Sequence, residues 1–333
     1  MLLSKLAITC QAFDSTPRGT VDATIEWSME MDLNNRVAVI TGSGQGLGLA
    51  YARELASHGA ALVINDIDSD RADLAVADIT RAGGRAIAVV GPVGSTETAQ
   101  ALVHAAVAEY GRLDVMVTNA GILRDKVLWK MTDDDFDAVV NVHLRGTFTC
   151  VREAVLRFRE QGAGGRVICI GSPAGQRGNF GQTNYSAAKA GIVGMVRTWA
   201  LELQRAGITV NAVCPVAATA MTETIPFLAP YIEGMKRGEP LPAIIRRDVG
   251  MGTPQDAAGI IAFLASDAAS EITGQAFSVG GDRLALWSHP ELTAVEYNDA
   301  GWSSTDIAAQ WATAFAPSLQ SIGEKFPEGL QSK

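Results

Sequence analysis

Short apolar runs alternate with longer helical stretches along most of this chain, and that alternation restricts the fold more than any other feature. Val37–Thr41 is fully apolar up to its final threonine, and Ala60–Asn65, Ala86–Val90, Leu113–Thr118, Arg166–Gly171, Ile208–Val213 and Ala276–Val279 follow the same pattern. Runs this short and this apolar fit strands covered on both faces. Between them lie stretches that read as helices. Leu47–His58 ends at Gly59, Asp70–Arg81 at Gly83-Gly84, and a segment capped by Ser95 runs to Tyr110 before Gly111. Thr132–Glu160 reads as a long helix with a break near Gly146, Thr183–Ala206 as another, and Thr253-Pro254 opens one to Ser266. Repeated strand–helix–strand units imply an α/β fold: one Rossmann-like, doubly wound parallel sheet with helices on both faces.

A length of 333 residues suggests about two domains, but no linker or repeat interrupts the alternation. The expectation is a single domain over 33–282, with a substrate lid at about 219–248. Residues 1–32 are expected to be a poorly ordered N-terminal extension, and 283–333 a C-terminal extension near the substrate site or a subunit interface. Trp287, Trp302, Trp311 and Phe315 lie in that C-terminal part, where a helix near Thr305–Ala314 is expected. These aromatics fit packing on the core or on a neighbouring subunit; the functional alternative is a wall of the substrate pocket.

A net charge of −9 argues against nucleic acid as a partner. No apolar stretch is long enough to span a membrane. Cys10, Cys150, Cys169 and Cys214 lie far apart, which is neither a disulfide framework nor a metal-ligand pattern. No metal is expected, and a reducing, cytoplasmic location is.

The turn after the first strand reads Thr41-Gly42-Ser43-Gly44-Gln45-Gly46-Leu47-Gly48. Glycines between a buried strand and a helix let the backbone approach a pyrophosphate at the helix N-terminus. Asp66 ends the second strand, 18 residues after Gly48. A carboxylate there accepts hydrogen bonds from both ribose hydroxyls of adenosine and repels a 2′-phosphate, so NAD is the expected cofactor. The alternative for Asp66 is a helix cap.

Three further motifs complete the set: Thr118-Asn119-Ala120-Gly121, then Ser172, then Tyr185 13 residues later with Lys189 four beyond it. Together with the glycine turn they resemble the short-chain dehydrogenase/reductase family, over about Leu33–Gly281. Within it, Val142–Phe148 and Gly178–Gly191 are most similar to the (3R)-hydroxyacyl-CoA and hydroxysteroid dehydrogenase-like subgroup. The resemblance implies Ser172, Tyr185 and Lys189 as catalytic residues. Tyr185 would take the substrate hydroxyl proton. Lys189, at i+4 on the same helix face, would lower its pKa and hold the nicotinamide ribose.

The resemblance also implies contacts to the cofactor. These would come from Gly42, Ser43, Gln45, Gly46, Leu47, Gly48, Asp66, Asn119, Ala120 and Gly121, from Tyr185 and Lys189 themselves, and from the Pro215, Val216, Ala218 and Thr219 segment.

This sequence departs from the family pattern in three places. His143 stands where the family carries an asparagine in its proton relay, so it either shuttles protons or is a core histidine. Pro92-Val93 replaces an acidic pair, leaving a backbone contact at Val93. Pro215-Val216 lacks the family glycine.

In the expected lid, Met221, Phe227 and Tyr231 offer an apolar wall, and Arg246 and Arg247 offer cations for CoA phosphates. The substrate is expected to be an apolar alcohol or ketone such as a steroid, or an acyl-CoA, and the enzyme a homo-oligomer, dimer or tetramer. The alternatives are an NADPH-dependent 3-ketoacyl reductase and a non-catalytic nucleotide-sensing protein.

Overall fold

A computed structural model describes residues 31–219, 228–299 and 301–323. The expected extension at 1–32 lies almost wholly outside them. Eight strands form one sheet in the order β3-β2-β1-β4-β5-β6-β7-β8. They are β1 (Val37–Ile40), β2 (Ala61–Asp66), β3 (Arg85–Val90), β4 (Val115–Thr118), β5 (Gly165–Ile170), β6 (Ile208–Pro215), β7 (Ala276–Gly280) and β8 (Arg283–Leu286). Helices α1 (Gly46–Ser57), α2 (Ser69–Arg81) and α3 (Thr96–Tyr110) follow β1, β2 and β3. Beyond β4 come α4 (Asp133–Val140) and α5 (Gly146–Gln161), and beyond β5 α6 (Pro173–Arg177) and α7 (Thr183–Leu203). Then come α8 (Ala229–Lys236), α9 (Gly259–Ala265) and α10 (Ser304–Gln310).

The two-residue period of the strands divides the core in two. Ala38, Ile40, Leu62, Ile64, Val115, Val117, Ile168 and Val213 face α1, α2 and α9. Val37, Val39, Val63, Met116, Val167, Cys169 and Val210 face α3, α5 and α7. Both faces are covered, which is why the strands carry so little polarity. A third, smaller cluster of Leu228, Ile232, Ile245, Val249 and Met251 gathers α8 and the segment that follows it.

Several elements differ from the sequence reading. Ala276–Val279 was expected as the last strand of a parallel sheet. It is followed instead by β8, antiparallel, with Val279 opposite Leu284 and Gly280 opposite Arg283. β8 is short and mostly exposed, so no buried apolar run marks it. The expected helix from Pro254 to Ser266 is a 3-10 turn at Gln255–Ala257 followed by α9. The long helix after Thr132 is interrupted by a π-helical turn at Asn141–Arg145, just before Gly146. The C-terminal helix starts earlier than expected, capped by Ser303 with Asp306 closing a capping box.

The short helix α6 was not anticipated. Ser172 forms its N-cap, accepting from the Ala174 amide at 3.2 Å, with Pro173 in the first turn.

Candidate active site

The strand order reverses between β1 and β4, and in an open α/β sheet that switch point is where ligands bind. A cleft of about 790 Å³ lies there.

One wall is the glycine turn. Gln45 stands at the N-cap of α1 but makes no side-chain bond to it, and the first turn carries no acidic residue. The helix N-terminus therefore keeps its amides for an anion. A Cβ on Gly48 would run into the Gly42 carbonyl oxygen and lie 2.6 Å from the Asn119 amide nitrogen. Asn119 in turn braces the turn, donating to the Thr41 and Gly42 carbonyl oxygens at 3.0 and 2.9 Å. Thr41 Oγ1 accepts from the Asn119 and Ala120 amides.

Asp66 sits at the end of this wall. Its Oδ2 accepts from the Gly44 amide at 3.2 Å, and its Oδ1 from the Asp68 amide at 3.1 Å. It does not cap α2, because Asp68 does. Each Asp66 oxygen retains lone-pair capacity for a ribose hydroxyl. Arg71 also lines this end of the cleft and pairs with Asp68 at 3.4 Å. These residues fit the pyrophosphate and adenosine ribose of a dinucleotide.

The other end of the cleft holds Ser172, Tyr185, Lys189 and His143 together. Lys189 is buried, and its Nζ donates to the Ile170 carbonyl at 2.6 Å. It stands 5.6 Å from the centre of the Tyr185 ring. Burial pulls the Lys189 pKa down to about 8. Burial also pushes the Tyr185 phenol up to about 12, while a hydrogen bond from Ser172 works in the opposite direction. The lowered tyrosine pKa expected from Lys189 is therefore not what the site by itself produces, because loss of hydration outweighs the favourable contacts. Asp125, which also lines the cleft, adds to the upward shift.

His143 is carried inward by the π-helical turn. Its ring meets Tyr185 edge-on, with centres 5.2 Å apart. Nε2 lies 2.8 Å from the Ile122 carbonyl oxygen and 3.0 Å from the Ile122 amide. Nδ1 is buried without a partner. Burial and the nearby Lys189 hold the imidazole down at about 3. A side chain at Gly121 would overlap the His143 ring, so glycine is required there by the histidine itself.

Most of the other residues singled out from sequence also line the cleft: Gly42, Gln45, Gly46, Leu47, Val93, Pro215, Val216 and Thr219. Ser43 does not. It is buried, with its hydroxyl on the Ile40 carbonyl at 2.7 Å. Ala218 does not either, since its amide is spent on the Gly252 carbonyl at 2.8 Å.

Met221 and Phe227 lie outside the described residues. Tyr231 packs against the third core cluster instead of lining the cleft. Arg246 is engaged by Asp282 at 2.7 Å and Asp256 at 3.3 Å, while Arg247 is exposed. Trp287 packs on the core, and Trp302 and Trp311 contact Phe315.

Sequence reasoning missed Arg71, Asp125, Asn179 and Gln182, all of which line the cleft. Gln182 donates to Asp125 at 2.7 Å and Asn179 donates to Gln182 at 3.0 Å.

The short chain dehydrogenase family model matches residues 36–226. The chain is 38% identical to hydroxyacyl-CoA dehydrogenase ChsB1 of Mycobacterium tuberculosis, over 86% of this chain and 90% of that one. It is 42% identical to a 3-oxoacyl-[acyl-carrier-protein] reductase of Synechocystis, over 75% of this chain and 97% of that one. A crystal structure of a short chain dehydrogenase from Mycobacterium avium superposes with a TM-score of 0.73 at 30% identity, covering 87% of this chain and 98% of that one. With a family model spanning more than half its length and relatives matched nearly end to end, this chain belongs to the short-chain dehydrogenases, oxidoreductases that bind a nicotinamide dinucleotide.

Proposed function

We propose that the chain oxidises a secondary alcohol to a ketone with NAD, its substrate being a (3R)-hydroxyacyl-CoA or another bulky apolar alcohol such as a steroid. One observation carries the reading: Ser172, Tyr185 and Lys189 gather at one end of a cleft whose other end is the glycine turn and Asp66. The bound nicotinamide supplies a hydride acceptor. Ser172 hydrogen-bonds the substrate oxygen and orients its carbinol carbon. Tyr185 takes the hydroxyl proton as the carbonyl forms. Lys189 spends one N–H on Ile170 and has two further donors for the nicotinamide ribose. Its charge favours the phenolate during turnover. His143, neutral and bonded to Ile122, holds the Gly121–Ile122 turn beside the reacting centre.

Two observations support an acyl-CoA substrate. The relative in Mycobacterium tuberculosis is named for that activity, and Arg247 offers an exposed cation near the lid base. Arg71 is the observation that favours the second reading, an NADPH-dependent reductase, because a guanidinium beside Asp66 can meet a 2′-phosphate. A homo-oligomer, dimer or tetramer, in the cytoplasm completes the proposal.

The test is NADH absorbance over a panel of 3-hydroxyacyl-CoAs and steroid alcohols, run with NAD and with NADP at equal concentration. NAD is expected to be the faster cofactor, and Asp66→Ala combined with Ile67→Arg is expected to relax or invert that preference. Faster wild-type oxidation with NADP overturns the role of Asp66. Turnover of steroids but of no thioester overturns the acyl-CoA reading.

A further inference from the structure

Arg177 ends α6, the five-residue helix that Ser172 begins. Four hydrogen bonds converge on it from a segment almost 150 residues further along the chain. Its Nε donates to the Gly323 carbonyl at 2.6 Å, and one terminal nitrogen donates to the Ser321 carbonyl at 3.0 Å and the Ser321 hydroxyl at 3.2 Å. The Arg177 carbonyl accepts from the Gly323 amide at 2.8 Å.

The guanidinium therefore clasps the chain at Ser321 and Gly323, a geometry that its planar fork provides and a lysine ammonium does not. Ala174 and Asn179, on either side of Arg177 in sequence, both line the cleft. The clasp is thus built on the rim, at the end where Ser172 stands. The fastened segment exposes two large apolar side chains, Leu319 at 67% and Ile322 at 91%.

We propose that Arg177 fastens the C-terminal extension across the substrate mouth as a strap, so that residues 319–323 help determine which substrates reach Ser172. Arg177 is a positioning residue, and Leu319 and Ile322 are the apolar surface it presents to the substrate's acyl chain or ring system. Backbone groups make three of the four bonds and the Ser321 hydroxyl the fourth, so the strap's placement depends on the arginine more than on the tail's side chains. The inference rests on the apolar, bulky substrate of the proposed function.

The test compares a short and a long 3-hydroxyacyl-CoA across four variants of the full chain or its truncation: Arg177→Ala, Arg177→Lys, Ile322→Ser and a chain ending at Ser318. Arg177→Ala and the truncation are expected to raise KM for the long substrate by about tenfold or more, the scale of losing bonds to a charged group. KM for the short one, and kcat for both, should stay within about twofold. Arg177→Lys should restore part of the effect, and Ile322→Ser should reproduce part of it. Limited proteolysis of Arg177→Ala should cut the tail faster than in the parent.

Equal changes for short and long substrates, or none, overturn the strap. So does loss of kcat together with thermal stability, which marks a purely structural residue. If Arg177→Ala does not fold, the truncation and Ile322→Ser decide the matter. Wild-type turnover of the short thioester reports separately on the proposed function.

Discussion

Tyr185, Lys189 and His143 share one small volume, yet burial moves each away from its ordinary proton affinity, to about 12, 8 and 3. In every case loss of hydration is the first cause, and it disfavours the charged form. Tyr185→Phe is expected to lower kcat by ~10²-fold or more while NADH binding persists, because proton transfer contributes roughly that factor. Fluorescence titration with NADH beside steady-state rates checks both halves. Lys189→Ala should lose turnover and cofactor affinity together.

His143 gives a pH prediction for stability. Its ordinary value is 6.5 and its folded value about 3, so between these the unfolded chain binds the extra proton. Its contribution is complete above pH 6.5 and is lost as pH falls toward 3. Urea midpoints at pH 7.5 and 5 should therefore drop less on acidification in His143→Asn than in the parent, and equal drops contradict the reading. Tyr185 and Lys189 were legible in sequence because four residues on a helix fix one face. Arg71 was not, because only the turn at Ile67-Asp68 brings it back beside Asp66.

Elements were legible where period and punctuation agreed. Ser95 and Gly111 mark α3 at both ends, and the structure has Ser95 as N-cap and Gly111 in the left-handed C-cap. The π-helical turn at Asn141–Arg145 has no such mark, since a single turn of five residues is too short to show a period of its own. It nevertheless turns His143 into the site. β8 escaped notice for the opposite reason: it buries too little to need apolar residues.

The start of α7 depends on one residue the sequence did not single out. Asn184 is fully buried, and its amide donates to the Arg124 and Asp135 carbonyls at 3.1 and 3.0 Å. It pins the loop after β4 and helix α4 to the helix that carries Tyr185. Asn184→Ala removes both of these buried hydrogen bonds and is expected to cost about 1–3 kcal/mol, read as a lower denaturant midpoint at unchanged m-value.

Across the whole molecule, the glycine-turn end of the cleft is made by residues before Asn119 and the Ser172–Tyr185 end mostly by residues after it, meeting at the switch point. The segment after α8 joins the end of the sheet through Arg246, which bridges Asp256 and Asp282. Arg247 has no such duty among the described residues and stays exposed. Arg247→Ala is therefore expected to raise KM for a CoA thioester several-fold more than for a free alcohol of similar size, while Arg246→Ala should affect both alike. Parallel KM measurements on the two substrate types separate the cases. Sequence could not distinguish these neighbours, because the partner carboxylates come from distant turns.

The strand order also has a consequence for synthesis on the ribosome. Once β4 has paired with β1, every later strand is laid down in chain order on the edge its predecessor left open. The nascent protein always shows its newest strand as a bare row of amides and carbonyls, ready to recruit any extended chain nearby. β8, only four residues long, runs back along β7 and leaves a short edge. A chain cut off before Arg283 would keep the adhesive margin of a half-made sheet while already holding every described residue that lines the cleft.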